Sequence, residues 1–179
     1  MRFHFVLAGA FAISSALALP VHSPAAVARG IFDKVSTITS TKHINAPVET
    51  VIAALHDFQR MINLNPLVSS SEVDPSDPSG KTIKVSDKLP LFLGINIPTT
   101  YTAKFEAVPD GMNTDNAVAA GVKLHNEWRA VANPSGGTDL TETDTLTANF
   151  LLSGIITKQL QTSHNQLMDT LAAQLEKAA

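Results

Sequence analysis

At 179 residues, with 44% hydrophobic and 16% charged side chains, the chain has the composition of a globular protein, not of a disordered or multi-span membrane one. Its 13 basic and 16 acidic residues give a formal charge of -3, and no two basic residues are adjacent, so no electrostatic surface for nucleic acid is expected. The absence of cysteine excludes disulfides, thiolate metal sites, iron–sulfur clusters and a cysteine nucleophile.

The chain begins with Met1-Arg2, an apolar run from Phe3 to Leu19, and the small-x-small triplet Ala16-Leu17-Ala18. This pattern predicts a secretory signal over residues 1–18, cleaved after Ala18, and hence a secreted, extracellular protein with no stable membrane insertion once the signal is removed. The run is too short and too interrupted, by His4, Ser14 and Ser15, for the ~20 apolar residues of a spanning helix. No Asn-x-Ser/Thr acceptor is present, since Asn133 precedes proline. Residues 19–30, with two prolines and no apolar period, read as a flexible lead-in to one domain over residues 31–179.

Val35 to Ile44 is rich in β-branched residues and predicts a strand. After Ala46-Pro47 the apolar spacing turns helical through Val48, Val51, Ile52, Leu55, Phe58 and Ile62. This predicts one helix, or two broken near Asp57, ending before Asn65-Pro66. Turn sequences at Asp74-Pro75, Asp77-Pro78-Ser79-Gly80, Pro109-Asp110-Gly111 and Pro134-Ser135-Gly136-Gly137 then bound the expected strands. These are Thr82 to Leu89, Thr99 to Val108, Ala117 to Ala132 with a split near Gly121, and Thr138 to Ala148. Their connections are too short for crossover helices, so an antiparallel meander is expected. From Phe150 to Glu176 the stripe Leu152, Ile156, Leu160, His164, Leu167, Leu171 and Leu175 predicts a long helix. The fold class is therefore α+β: a curved antiparallel sheet wrapped around a C-terminal helix, with a helical pair after the first strand and room for a cavity.

Two stretches carry a resemblance to a known family. His43-Ile44-Asn45-Ala46-Pro47-Val48-Glu49-Thr50-Val51-Ile52, with Asp57 after it, is similar to the strand-to-helix entry of the START-like, or SRPBCC, superfamily. Glu127-Trp128-Arg129 followed by Gly136-Gly137-Thr138 resembles that superfamily's hairpin. It includes birch-pollen-allergen-type carriers, polyketide cyclases and lipid-transfer domains. Asn63-Leu64-Asn65-Pro66 and Thr162-Ser163-His164 extend the likeness to a fungal branch of it, over about residues 31 to 177. The resemblance implies a helix-grip fold with a pocket for an apolar small molecule. It does not imply catalysis, because no acid–base set of the cyclases maps onto this chain residue by residue.

No Gly-x-Ser-x-Gly, phosphate loop, His-Glu-x-x-His or histidine pair at ligand spacing occurs, so no metal site and no cofactor are expected. The candidate catalytic residues are Glu142, Asp144 and His164. Alternation from Thr138 to Ala148 puts Leu140, Glu142, Asp144 and Leu146 on one face and threonines on the other. Because unpaired buried acids are costly, this reading favours solvated carboxylates, with acids in the pocket as the alternative. His164, on the helical stripe, is expected to be satisfied by backbone or an acid, and His56 to complement the end of its helix. The candidate ligand-binding residues are Tyr101, Phe105, Leu124, Asn126, Trp128, Leu146, Leu160 and His164. The small residues Ala103, Ala107 and Gly121 point weakly to a cavity over a filled core. The apolar segment from Leu89 to Pro98 reads as a buried strand in preference to a lid.

Three functions fit these features: a secreted binding protein for a lipid, sterol or polyketide-like metabolite, a cyclase or isomerase using cavity acid–base residues, and a surface-acting domain with a filled core. The missing catalytic set places the binding protein first. The partner expected is an apolar small molecule, and oligomeric state is left open.

Overall fold

A computed structural model describes residues 33–90, 96–118 and 121–178. The expected signal and lead-in lie outside the described residues, as does the middle of the apolar Leu89 to Pro98 segment. Seven strands form one antiparallel sheet in the order β1-β7-β6-β5-β4-β3-β2. They are β1 (Asp33–Ile44), β2 (Val68–Val73), β3 (Thr82–Pro90), β4 (Asn96–Val108), β5 (Gly111–Ala117), β6 (Lys123–Ala132) and β7 (Thr138–Asn149). Helices α1 (Val48–Leu55) and α2 (Phe58–Leu64) lie between β1 and β2 in the chain, and α3 (Phe150–Ala178) follows β7 and packs against β1 and β7.

Local chemistry sets these boundaries. Pro47 stands as the residue before α1, and its fixed φ of -58° leads the chain into the first turn. Asp57 separates α1 from α2 because its carboxylate accepts from the Arg60 N–H at 3.1 Å, capping the second helix. Asn65 leaves the helix in an extended conformation, as a residue before proline must. In β7 the burial alternates without a break, so the β-branched threonines cover the outer face while Leu140, Glu142, Asp144 and Leu146 point inward.

Two glycines are required where backbones meet. At Gly137, φ is +72° and a Cβ would fall 2.5 Å from the Ile44 carbonyl oxygen; at Gly111 it would fall 1.9 Å from that of Trp128. Thr138 then donates from its hydroxyl to the Ala46 carbonyl at 2.7 Å, fastening the β6–β7 hairpin to the entry of α1.

Several expectations need correction. The strand expected from Ala117 to Ala132 is instead β6 alone, while β5 begins earlier, at Gly111, and Gly121 sits exposed in the turn between them at φ +75°. Strand β2, with three serines and a glutamate among its six residues, carries too little apolar alternation to announce itself. Of the small residues invoked for a cavity, Ala103 is buried, whereas Ala107 and Gly121 are exposed. His56 does follow α1, but its Nε2 donates to the carbonyls of Val108 at 3.1 Å and Gly111 at 2.8 Å. It ties the helix to the β4–β5 turn in place of the expected helix-end interaction.

Candidate functional site

Between the concave face of the sheet and the N-terminal half of α3 lies a cavity of about 490 Å³. All eight candidate ligand-binding residues line it. Leu124, Trp128 and Leu146 come from β6 and β7, Tyr101 and Phe105 from β4, and Leu160 and His164 from α3. Phe105 is fixed from behind by stacking on Phe58 of α2, with ring centroids 4.8 Å apart. Leu152, the first residue of the expected helical stripe, is 40% exposed, and with Ile155 at 47% it marks the cavity mouth.

One wall is polar. Asn126 donates from Nδ2 to Glu142 Oε1 at 3.4 Å and, in a closer contact, to Asp144 Oδ1. Its Oδ1 accepts from Thr114 Oγ1 at 2.7 Å and Asn116 Nδ2 at 2.9 Å. His164 Nδ1 lies 2.5 Å from Glu142 Oε1 and 3.6 Å from Asp144 Oδ2. The favoured expectation of solvated acids is thus overturned: Glu142 is 1% and Asp144 2% exposed. The cost of burying them is offset because α3 brings an imidazole and β6 an amide to the same place. The expectation that His164 is satisfied by an acid agrees with this arrangement.

The electrostatics follow. Burial pushes the Glu142 carboxyl well up from its ordinary value, and the nearby Asp144 adds to this against the opposing pull of His164. Burial alone would lower His164, but the charge of Glu142 and the hydrogen bonds of Asp144 and Glu142 outweigh it and hold the imidazolium up. Glu142 Oε2 is left buried without a partner.

Glu142, Asp144 and His164 each present a donor atom within 4.8 Å of the others, a set chemically able to hold a cation. The expectation of no metal site rested on spacing along the chain, which this cluster escapes because its members come from β7 and α3.

A second polar pair joins Tyr101, expected from the sequence, to Asp87, which was not. Asp87 of β3 and Tyr101 of β4 line the cavity close enough for each to act on the other electrostatically. Burial raises both groups, Tyr101 further because of the adjacent carboxylate. Thr114 and Asn116 were also missed, although Met112, Thr114 and Asn116 alternate after the Pro109-Asp110-Gly111 turn and so carried a strand signal.

A family model described as "Domain of unknown function (DUF7053)" matches residues 33–177. The chain belongs to the DUF7053 family. No curated protein matches it. Solved structures share the fold of this DUF7053 chain at low identity. A START superfamily protein from Mycobacterium smegmatis superimposes with a TM-score of 0.62 at 13% identity, over 80% of this chain and 99% of that one. The di-domain ARO/CYC BexL from the BE-7585A biosynthetic pathway gives 0.60 at 14%, over 79% of this chain and 50% of that one. Zhui aromatase/cyclase from Streptomyces sp. R1128 gives 0.56 at 14%, over 76% and 93%. This chain therefore shares the helix-grip fold of these structures.

Proposed function

We propose that this protein is a binding protein that encloses an apolar small molecule, of lipid, sterol or polyketide-like character, between its sheet and α3. The observation that carries the reading is the cavity itself: about 490 Å³, walled mainly by aromatic and aliphatic side chains with a minority of polar ones. A domain acting only through its surface has no use for that space, which costs packing energy. The solved structures named for START and aromatase/cyclase proteins support the reading through shared fold alone. We further propose that the protein belongs to a fungal branch of that superfamily and acts outside the cell, freed of residues 1–18. N-terminal sequencing of secreted material should begin at Leu19, and a membrane-bound product retaining Met1 defeats the extracellular claim.

Trp128 is the single tryptophan and stands in the cavity wall, so it reports occupancy directly. Nile red, a neutral hydrophobic probe, should quench or shift its emission saturably, and Phe105→Trp should fill the space and weaken probe binding by roughly tenfold. Binding with no Trp128 response, or undiminished binding to a folded Phe105→Trp protein, rejects the cavity as the site.

A second reading is favoured by one specific observation, the buried contact of His164 with Glu142. An imidazole oriented by a carboxylate beside a bound molecule can move a proton to or from it, which is the chemistry of a cyclase or isomerase. Turnover lost in Glu142→Gln with ligand affinity retained would establish that reading; retention of a natural molecule unchanged favours the first.

A further inference from the structure

Few charged groups line the cavity. Among the described residues that line it there is no lysine or arginine, and His164 is the sole basic side chain. Asp87 in the β3 wall is the sole acidic side chain of that lining, while Glu142 and Asp144 are buried behind it against His164 and Asn126. The His164 proton is already engaged with Glu142, leaving Asp87 without any basic partner at hydrogen-bond distance. Asp87 Oδ1 is buried with no hydrogen-bond partner. Glu142 Oε2 is the other such atom among the described residues. Both orphans are acceptors.

These facts discriminate between classes of ligand. A carboxylate head placed at Asp87 would set two negative charges side by side, with the nearest cation, His164, already engaged by Glu142. A hydroxyl head supplies one donor and no charge. An ammonium supplies three donors and no acceptor, and its hydrogen bonds to a carboxylate are charge-assisted. We propose that the cavity selects a cationic amphiphile, an apolar molecule ending in a protonated amine, with its ammonium on Asp87 and its hydrocarbon against Phe105, Trp128 and Leu146. This rests on the cavity being a ligand site and adds the chemical class of the ligand. Tyr101 serves as a positioning residue, holding the Asp87 carboxylate so that its unpaired oxygen stays directed at the head group.

Decylamine, decanol and decanoate share one hydrocarbon tail and differ in head charge. Each is titrated into the full chain at neutral pH, below micelle formation, with Trp128 emission as readout. Decylamine should bind roughly tenfold tighter than decanol, and decanoate roughly tenfold weaker than decanol. Asp87→Asn should bring decylamine down to the affinity of decanol while decanol itself changes less than about twofold. Tyr101→Phe should give an intermediate loss for decylamine alone, and carries the test if Asp87→Asn melts at lower temperature. Decanoate binding as tightly as decylamine, or an amine preference surviving both substitutions, overturns the proposal. If decanol binds and decylamine has no advantage, only the cationic head is rejected; if none of the three binds, the cavity reading falls with it.

Discussion

The two halves of α3 face the same sheet and do opposite work. Along the C-terminal half, Leu167, Met168, Leu171, Ala172 and Leu175 are all 5% exposed or less and pack with Ile44, Val51, Leu55 and Leu140 into a continuous core. Along the N-terminal half, Leu151, Leu152 and Ile155 are between 40% and 70% exposed, and only a small cluster of Val122, Leu146 and Ala148 lies beneath, with Ile156 packed on it. Helical periodicity is the same in both halves, so an apolar stripe does not by itself mean a filled interface. One half closes the fold, and the other leaves it open where the ligand site is proposed.

The sharpest way to break this contrast is to truncate the closed half. Leu171→Ala removes a fully buried side chain from the core and should cost about 3 kcal/mol in denaturant unfolding. A loss under about 1 kcal/mol would show that the closed half is not the stabilising one.

His164 stands at the boundary between the halves. His164→Ala strips Glu142 of its partner, but the carboxyl can protonate in place of remaining charged, so the expected cost is nearer about 2 kcal/mol. Equilibrium unfolding at neutral pH measures it, and a neutral or stabilising result would mean that the polar wall is not held by this pair.

The same pair predicts a pH dependence with a definite sign. His164 is raised above its ordinary 6.5, so its contribution is full below that value and is lost as pH rises through the folded-state value. Glu142 is raised too, so its contribution is full below 4.5 and is lost as pH rises toward about 7, leaving His164 to carry the fall beyond that. The melting temperature should therefore fall as pH climbs above 6.5, and Glu142→Gln should flatten the slope. A melting temperature that climbs over that range refutes the assignment.

At the open end the expected effect is smallest. Leu152→Ala should change stability by less than about 0.5 kcal/mol, because the side chain is already 40% exposed, while weakening Nile red binding about twofold. Destabilisation on the scale of Leu171→Ala would erase the distinction between the halves.

How far the sequence disclosed this arrangement depended on whether a signal was local. The helix-grip order was legible because the break at Asp57, the turns and the α3 stripe are each written within a few residues. The eight cavity-lining residues were legible because alternation and helical spacing assign faces. Which face of β7 turned inward was not: period two offers both, and the choice rests on His164, 22 residues away from Glu142. Asp87 lies in the polar stretch Ser86-Asp87-Lys88, where nothing marks the middle residue as facing a cavity. Strand β5 escaped because glycine in the β5–β6 turn was read as a split inside one longer strand.

The placement of β1 has a consequence for how the chain reaches this state. Every other strand pairs with its neighbour in sequence, but β1 pairs only with β7, so that Thr41 meets Thr141 a hundred residues later. A loop of that size costs chain entropy before any of its contacts compensate, which places the docking of β1 late and makes it the slow event of folding. Until β7 is made, the first strand emerges with both edges open, a template for pairing with another chain. Chains that stop before Thr138 should therefore not fold in part but associate, and the stretch from Thr138 onward governs whether synthesis ends in a monomeric domain or in aggregate.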